Sequence, residues 1–270
     1  MKERGPRVCI LKTDGINCDE ELANAFAVAG GRPRIIHINE LRAGEENLKN
    51  YQILAIPGGF SYGDDVASGK ILALELNSYL AYQISDFIYR QEGLVLGVCN
   101  GFQVLVRTGL LPFGTMGEMQ STVIHNDSGH FECRWINLKV ENDNACVFLK
   151  GMNGIVSYQV AHGEGKFFAK QPGLERIEAE KLVVFRYCDK LGNPTQEYPL
   201  NPNGSLNSIA GITDPTGRIL GMMPHPERAV FFTHLPNWQY LKEKYQREGK
   251  KVPEFGPGLQ IFKNGVLYFK

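Results

Sequence analysis

Short apolar runs separated by amphipathic stretches dominate the first hundred residues. Between these runs, the pattern predicts a helix from about Asn17 to Ala29, with Asn17 and Glu20 as a capping box. It also predicts a longer helix after Ser68, whose apolar positions keep helical spacing. The runs themselves are of strand length, with little alternation of apolar and polar positions, and lie at 7–13, 33–38, 51–56 and 94–98. Strands of this kind that alternate with helices predict a parallel sheet covered on both faces.

The second half of the chain changes character. Strand-like runs at 133–140, 181–189, 205–214 and 218–224 follow one another, and the sequence DPTG at 214–217 is typical of a hairpin turn. These runs predict antiparallel additions to the same sheet. A helix at about 238–248 precedes a tail rich in glycine and proline. The expected fold class is therefore α/β: an open, mostly parallel, doubly wound, flavodoxin-like sheet with antiparallel additions in the second half. We expect a single domain over 1–270, with a C-terminal extension (about 231–270) packed on it.

Charge and composition narrow the possible partners. Lys plus Arg number 29 and Asp plus Glu number 29, and the chain has no long basic block, so nucleic acid is not an expected partner. No export signal or bilayer-spanning apolar stretch is present, so we expect no membrane partner and a cytoplasmic location. The six cysteines contain no CxxC pair and are expected to be reduced thiols.

A cysteine between two glycines marks the first candidate for chemistry. The apolar run LVLGV ends at Val98, Cys99 follows at once, and the helix-like segment NGFQVLVRTG begins after it. Ligands of open α/β sheets bind at the carboxyl ends of strands, and the G-x-C-x-G pattern resembles the nucleophile elbow with sulfur in place of oxygen. The helix N-terminus favours a thiolate there. Although a buried cysteine is more often a small core residue, Gly97 and Gly101 favour a nucleophile.

A nucleophilic thiol needs a base, and the base needs an orienting group. Among the six histidines, His225 stands out because two prolines flank it in MMPHPERAV, directly after an apolar run. If the segment is extended, Glu227 points the same way as His225 and can hold the imidazole in one tautomer. The alternative is a proline-rich surface loop in which the pair is incidental.

Acyl transfer from an amide also needs donors for the developing oxyanion. The backbone amide of Asn100, at the start of the helix after the nucleophile, is one candidate. The second is expected from the glycine-rich segment 56–65, IPGGFSYGDD, with Gly59 as the donor. By composition alone this segment is equally consistent with a flexible connector.

These motifs together resemble a known family. The segments GVCNGFQ, PGGFSYGD and PHPERA resemble class I (triad-type) glutamine amidotransferases. With NCDEE, the N-x-S-x-x-F-x-C-R pattern at 126–134, AHGEGKF and NPNGSLNSIAGI, the chain from about 7 to 229 resembles the glutaminase subunits of phosphoribosylformylglycinamidine synthase. The resemblance implies an enzyme that hydrolyses L-glutamine to glutamate and ammonia through a cysteine thioester.

The resemblance also implies roles for individual positions. Cys99, His225 and Glu227 form the catalytic triad, and Gln103, Ser128 and Phe131 contact glutamine. His162 and Glu164, in AHGEGKF, are expected to be either family-specific machinery or a turn of the antiparallel part. No cofactor is expected in this chain, because HGEGK lacks the P-loop spacing. ATP and magnesium are expected on the synthetase (large) subunit, which together with a small accessory subunit is the implied partner.

Three alternatives stay open at this point. A cysteine hydrolase of the same fold class, such as a peptidase or a γ-glutamyl hydrolase, uses the same cysteine and histidine without a partner. A non-enzymatic relative only binds, although the intact triad argues against it. A metal site built from Cys99 with His125 or His130 lacks local zinc spacing.

Overall fold

The computed structural model describes residues 5–270, which contain eleven strands and eight α-helices. The strands are β1 (Arg7–Lys12), β2 (Arg32–His37), β3 (Ile53–Ile56), β4 (Leu94–Val98), β5 (Ser121–His125), β6 (Glu132–Val140), β7 (Ile155–His162), β8 (Glu164–Ala169), β9 (Val183–Tyr187), β10 (Ile209–Thr213) and β11 (Ile219–Met222). The helices are α1 (Asp19–Val28), α2 (Ile38–Ala43), α3 (Lys70–Tyr79), α4 (Ala81–Ser85), α5 (Asn100–Arg107), α6 (Gln171–Ala179), α7 (Trp238–Arg247) and α8 (Leu259–Leu267).

A nine-stranded sheet with the order β2-β1-β3-β4-β11-β10-β9-β6-β7 forms the centre of the described chain. The strands from β2 to β11 run parallel, and those from β11 through β7 pair antiparallel. The predicted fold class is confirmed, including the tight turn at 214–217, which joins β10 to β11. Strands β5 and β8 form a separate antiparallel pair that the pattern did not predict.

The predicted capping box of the first helix is wrong. Helix α1 begins at Asp19 with Cys18 as its N-cap, and no side chain caps its first amides. The Asn17 carboxamide oxygen instead faces the Cys18 thiol at 3.2 Å. Three acidic residues in the first turn, Asp19, Glu20 and Glu21, place negative charge at the positive end of the helix dipole.

The long helix expected after Ser68 is present but interrupted. It begins at Lys70, breaks at Leu80, continues as α4, and ends in a π-turn over Asp86–Arg90. Its helically spaced apolar residues are all buried, and these are Leu72, Leu76, Leu80, Ile84, Phe87 and Ile88. The spacing therefore predicted which residues of this segment are buried, but it did not predict the break at Leu80.

The C-terminal segment contains α7, as predicted, and α8, which was not predicted. Phe262 of α8 is fully buried, with its ring 5.0 Å from that of Phe26 in an edge-on arrangement. The Asn264 side-chain amide donates to the carbonyls of Phe148 and Lys150 at 2.8 and 2.9 Å. That residues 1–270 fold as one domain stays a prediction. No helix of residues 5–270 has both the length and the apolarity needed to cross a bilayer.

Candidate active site

Cys99 lies on a strained turn between β4 and α5. Its backbone has φ 52° and ψ −107°, and a positive φ is unfavourable for a residue with a Cβ. The Cys99 N–H donates to the Met222 carbonyl at 2.8 Å, and its carbonyl accepts from the Gln103 N–H at 3.1 Å. The predicted strand-to-helix position is confirmed, and neighbouring backbone holds it from both sides.

The two glycines around Cys99 allow a close approach of backbone segments. A Cβ at Gly97 would lie 2.6 Å from the Gly101 carbonyl oxygen, and a Cβ at Gly101 would lie 2.0 Å from the Ile56 carbonyl oxygen. Helix α5 therefore packs directly on the ends of β3 and β4. This contact brings the start of the helix beside the loop that follows β3.

His225 and Glu227 form a buried hydrogen-bonded pair just after β11. The His225 Nδ1 and Glu227 Oε1 atoms are 2.5 Å apart, and the His225 N–H donates to the Gln159 carbonyl at 2.8 Å. The predicted contact is present, although Pro226–Ala229 is a 3-10 turn and not an extended segment. The His225 Nε2 atom and the second Glu227 oxygen are buried without a hydrogen-bond partner in residues 5–270. With Nδ1 committed to the carboxylate, Nε2 is the nitrogen free to exchange a proton.

The surroundings of His225 favour its protonated form. Burial lowers the pKa of the imidazole. The carboxylate of Glu227 and the sulfur of Cys99 raise it by more than burial lowers it, and the resulting pKa is about 10. A buried imidazolium beside a sulfur nucleophile and a carboxylate is an arrangement suited to proton transfer.

Gly58, in the segment after β3, lies where Cys99 and His225 come together. A Cβ built at Gly58 would lie 2.8 Å from His225 Cε1, 3.2 Å from the Cys18 sulfur and 3.4 Å from Cys99 Cβ. The cysteine and the histidine are 126 residues apart in sequence, and both lie next to the backbone of Gly58. Cys18 also lies at this point, which the sequence did not indicate.

The segment after β3, residues 57–69, is called the glycine loop below. Gly59 has φ 139°, and a Cβ there would lie 2.7 Å from the Asn17 nitrogen, so only glycine fits. The next amide, that of Phe60, donates to the Gly15 carbonyl at 2.9 Å. The amides of Gly59 and Asn100 have no acceptor among residues 5–270, so both remain available to a ligand.

The three predicted glutamine contacts differ in their surroundings. The Gln103 side chain is buried and already bonded at both ends, to the Asn100 side chain at 3.0 Å and to the Glu164 carbonyl. The Phe131 ring is 54% exposed and lies 6.4 Å from the Phe60 ring of the glycine loop. Ser128 lines a cleft of about 400 Å³ with Tyr198.

His162, at the end of β7, and Glu164, at the start of β8, lie beside the site at the point where the chain passes from one sheet to the other. The His162 imidazole is buried beside the Asn126 side chain, with Nδ1 3.1 Å from its oxygen. Burial, and then the charge of His225, lowers the pKa of His162 to about 3, so this ring is neutral. A Cβ at Gly165 would lie 2.3 Å from the His162 ring, so the glycine after Glu164 makes room for it.

One group in the described chain has metal-ligand character. Ligand atoms of Cys18, His225 and Glu227 lie within 4.8 Å of one another. However, His225 and Glu227 are bonded to each other, and the Arg228 guanidinium donates to the Cys18 sulfur at 3.3 Å. The group is therefore a hydrogen-bonded cluster whose bonds a metal would have to displace. The two histidines considered with Cys99, His125 and His130, are both exposed, and His125 Nδ1 lies 3.9 Å from Glu164 Oε1.

These features place the chain in a known class: it belongs to the family of CobB/CobQ-like glutamine amidotransferase domains, whose model matches residues 5–269. Its curated relatives point to one particular kind of subunit within this class. It is 46% identical to phosphoribosylformylglycinamidine synthase subunit PurQ of Methanococcus maripaludis, over 98% of this chain and 97% of that protein. It is 43% identical to the subunit of the same name from Dehalococcoides mccartyi, over 97% of each.

A solved structure agrees with these relatives. The structure of PurLQS from Thermotoga maritima contains a chain that is 28% identical, with a TM-score of 0.71, over 98% of this chain and 100% of that one. The family resemblance read from the motifs is thus confirmed along the whole chain.

Proposed function

We propose that the chain is the glutaminase subunit of phosphoribosylformylglycinamidine synthase. It hydrolyses L-glutamine and supplies ammonia to an ATP-dependent synthetase subunit, which converts formylglycinamide ribonucleotide to formylglycinamidine ribonucleotide in de novo purine (IMP) biosynthesis. The observation that carries the proposal is that Cys99, at the elbow, and the His225–Glu227 pair lie side by side at Gly58. The end-to-end similarity to PurQ subunits supports the choice of reaction.

In the proposed mechanism, the thiol proton of Cys99 already resides on His225, whose pKa is raised, and the Cys99 thiolate attacks the side-chain amide carbon of glutamine. The carbonyl oxygen then carries negative charge, which the amides of Gly59 and Asn100 stabilise; one such donor contributes roughly 10²–10³ in rate. As the C–N bond breaks, His225 gives its proton to the departing ammonia and a thioester remains. Water then attacks the thioester and loses a proton to His225; glutamate leaves, and the Cys99 thiolate is restored beside the imidazolium.

Glu227 orients His225 throughout this cycle and favours the imidazolium form that exists before ammonia leaves and again after water gives up its proton. Phe131 and Ser128 are proposed to contact glutamine from the segment 126–134. Gln103 is the third proposed contact. To bind substrate it has to exchange one of its bonds, to Asn100 or to the Glu164 carbonyl, for a bond to glutamine.

The proposed partners are the synthetase subunit and its small accessory subunit, and the similarity to a chain in the PurLQS structure supports this assignment. ATP and magnesium are proposed to bind the synthetase subunit. The proposed location is the cytoplasm, where the purine pathway would use the ammonia.

The test is to measure glutamate formed from L-glutamine by the chain together with its synthetase components, beside the His225→Ala variant. The proposal predicts glutamate from the wild-type chain and a loss of about 10⁴-fold in the variant, because the histidine moves a proton in every step. Hydrolysis of γ-glutamyl peptides in preference to glutamine would instead support the cysteine hydrolase.

A further inference from the structure

We propose that Asp64 is a positioning residue for the oxyanion site, acting through the side chain of Asn100. This inference rests on the proposed glutaminase function. It concerns the glycine loop, which carries one proposed oxyanion donor, Gly59, and meets the helix that carries the other, Asn100.

The middle of the glycine loop is in a conformation that needs outside support. Tyr62, Gly63 and Asp64 have φ values of 55°, 74° and 54°, so three consecutive residues are left-handed. For the two residues with side chains this conformation is unfavourable and persists only where surrounding contacts hold it. The β1–α1 loop supplies some of them, since the Tyr62 N–H donates to the Asp14 carbonyl at 2.8 Å.

Asp64 and Asn100 supply further support. The Asn100 side-chain nitrogen donates to Asp64 Oδ1 at 3.1 Å, and the Asn100 side-chain oxygen accepts from the Ser61 N–H at 3.3 Å. The same Asp64 oxygen accepts from the Gly69 N–H at 3.1 Å. One carboxamide therefore bonds both ends of the turn 61–64, and one carboxylate ties that turn to the start of α3.

This arrangement connects the two proposed donors. Gly59 lies two residues before Ser61, while the amide of Asn100 belongs to the residue whose side chain holds Ser61 and Asp64. Without the Asp64 carboxylate, the Asn100 nitrogen keeps only Gln103 Oε1 as acceptor, at 3.0 Å, and the Gly69 N–H loses its acceptor. The strained turn is then free to relax, and Gly59 moves relative to Asn100.

The consequence is specific to the transition state. Negative charge on the carbonyl oxygen develops only as the thiol adds, so a misplaced donor lowers kcat while leaving KM for glutamine nearly unchanged. Alkylation of Cys99 by iodoacetamide is a displacement at a saturated carbon and builds no oxyanion. Its rate depends on the thiol and His225, which Asp64 does not contact, so alkylation separates loop positioning from damage to the triad.

The experiment compares Asp64→Ala, Asp64→Asn and Asp65→Ala in the complex with the synthetase components, ATP and formylglycinamide ribonucleotide. Asp65 is the matched control, because it is the adjacent, exposed carboxylate of the same loop and no hydrogen bond to its side chain is present in residues 5–270. For Asp64→Ala we expect kcat to fall about 10- to 100-fold, somewhat less than the loss of a whole donor, with KM and the alkylation rate within about threefold. Asp64→Asn keeps an acceptor oxygen and should recover most of the loss.

An unchanged kcat in Asp64→Ala while the wild type is active would overturn the inference alone. So would an equal loss in turnover and alkylation, which would indicate general damage to the site. A wild-type chain that is alkylated at Cys99 but forms no glutamate in the complex would overturn the proposed function, and the inference with it. A fall in kcat in Asp65→Ala as large as that in Asp64→Ala would also overturn the inference. The fall would then result from removing a negative charge from the loop and not from losing the bonds of Asp64.

Discussion

Replacing Gly58 by alanine tests how closely the parts of the site are packed. The backbone of Gly58 is not in the left-handed region, so alanine adds no backbone strain there. What it adds is a methyl group 2.8 Å from His225 Cε1, 3.2 Å from the Cys18 sulfur and 3.4 Å from Cys99 Cβ. The imidazole, the thiol or the loop must therefore move.

The size of that movement follows from ordinary contact distances. Carbon atoms pack best at about 3.5–4.0 Å, so the closest contact requires a shift of about 1 Å. Because a misplacement of about 1 Å can lower the rate of an oriented reaction by about 10²-fold, we expect kcat to fall by at least that factor. The extra methyl group in a filled space should also lower the free energy of unfolding by about 1–3 kcal/mol.

The assay is glutamate formation in the complex, together with iodoacetamide alkylation of Cys99 and a urea unfolding curve. Gly173→Ala in α6 is the control, since its nearest neighbour is 3.7 Å away and its backbone is ordinary. Both turnover and alkylation should fall in Gly58→Ala and neither in the control. A Gly58→Ala variant with kcat within about twofold of wild type would refute the conclusion that Gly58 sets the position of the histidine.

The remaining predictions concern the nucleophile, the imidazolium and the C-terminal helix. A diazo-ketone analogue of glutamine should label Cys99 alone, as checked by peptide mapping, and a similar rate at any other cysteine would contradict its activation. Because the pKa of His225 is raised from 6.5 to about 10, its pairing with Glu227 should stabilise the fold fully below pH 6.5 and progressively less as pH rises toward 10. Urea midpoints of wild type and Glu227→Gln should therefore converge across that range, and a constant difference would count against it. Phe262→Ala should cost about 3–5 kcal/mol and exposed Leu267→Ala about 0.5 kcal/mol or less, so equal losses would argue against packing of α8 on the domain.

Features that depend on neighbouring residues could be predicted from the sequence. The Cys99 elbow needs only an apolar strand, two small residues and a helix start, all of which lie within 94–107. The His225–Glu227 contact was expected for an extended segment, yet it exists because His225 is the N-cap of the 3-10 turn and its side chain reaches Glu227 in that turn. The parallel order of the first strands follows from their alternation with helices.

Features that depend on contacts between residues far apart in sequence could not be predicted. Cys18 reaches the site only because the β1–α1 loop lies against Gly58. The capping box failed at the same place: the chain turns into the helix at Cys18, and Asp19 is held by Lys12 at 2.7 Å. Likewise, the neutral state of His162 results from burial that only the folded chain creates, where the end of β7 lies against Asn126.

Helices α6 and α8 were not predicted, for a different reason. Helix α8 follows a segment rich in glycine and proline, which hid the helical spacing of Leu259, Phe262 and Val266, all of them buried. Helix α6 carries only two buried residues, Leu174 and Ile177, and its first turn contains a proline and a glycine. In both segments a weak local pattern becomes a helix because the rest of the fold offers it a surface to pack on.

The central claim is that this chain releases ammonia for a synthetase and not into water, where ammonia would be protonated and lost. The most direct measurement is the rate of glutamate formation by the chain alone, and then with the synthetase subunit, the accessory subunit, ATP and formylglycinamide ribonucleotide. We expect a low rate for the isolated chain and a strong increase in the full mixture. A chain that is fully active alone, indifferent to the synthetase and able to cleave γ-glutamyl peptides would contradict it.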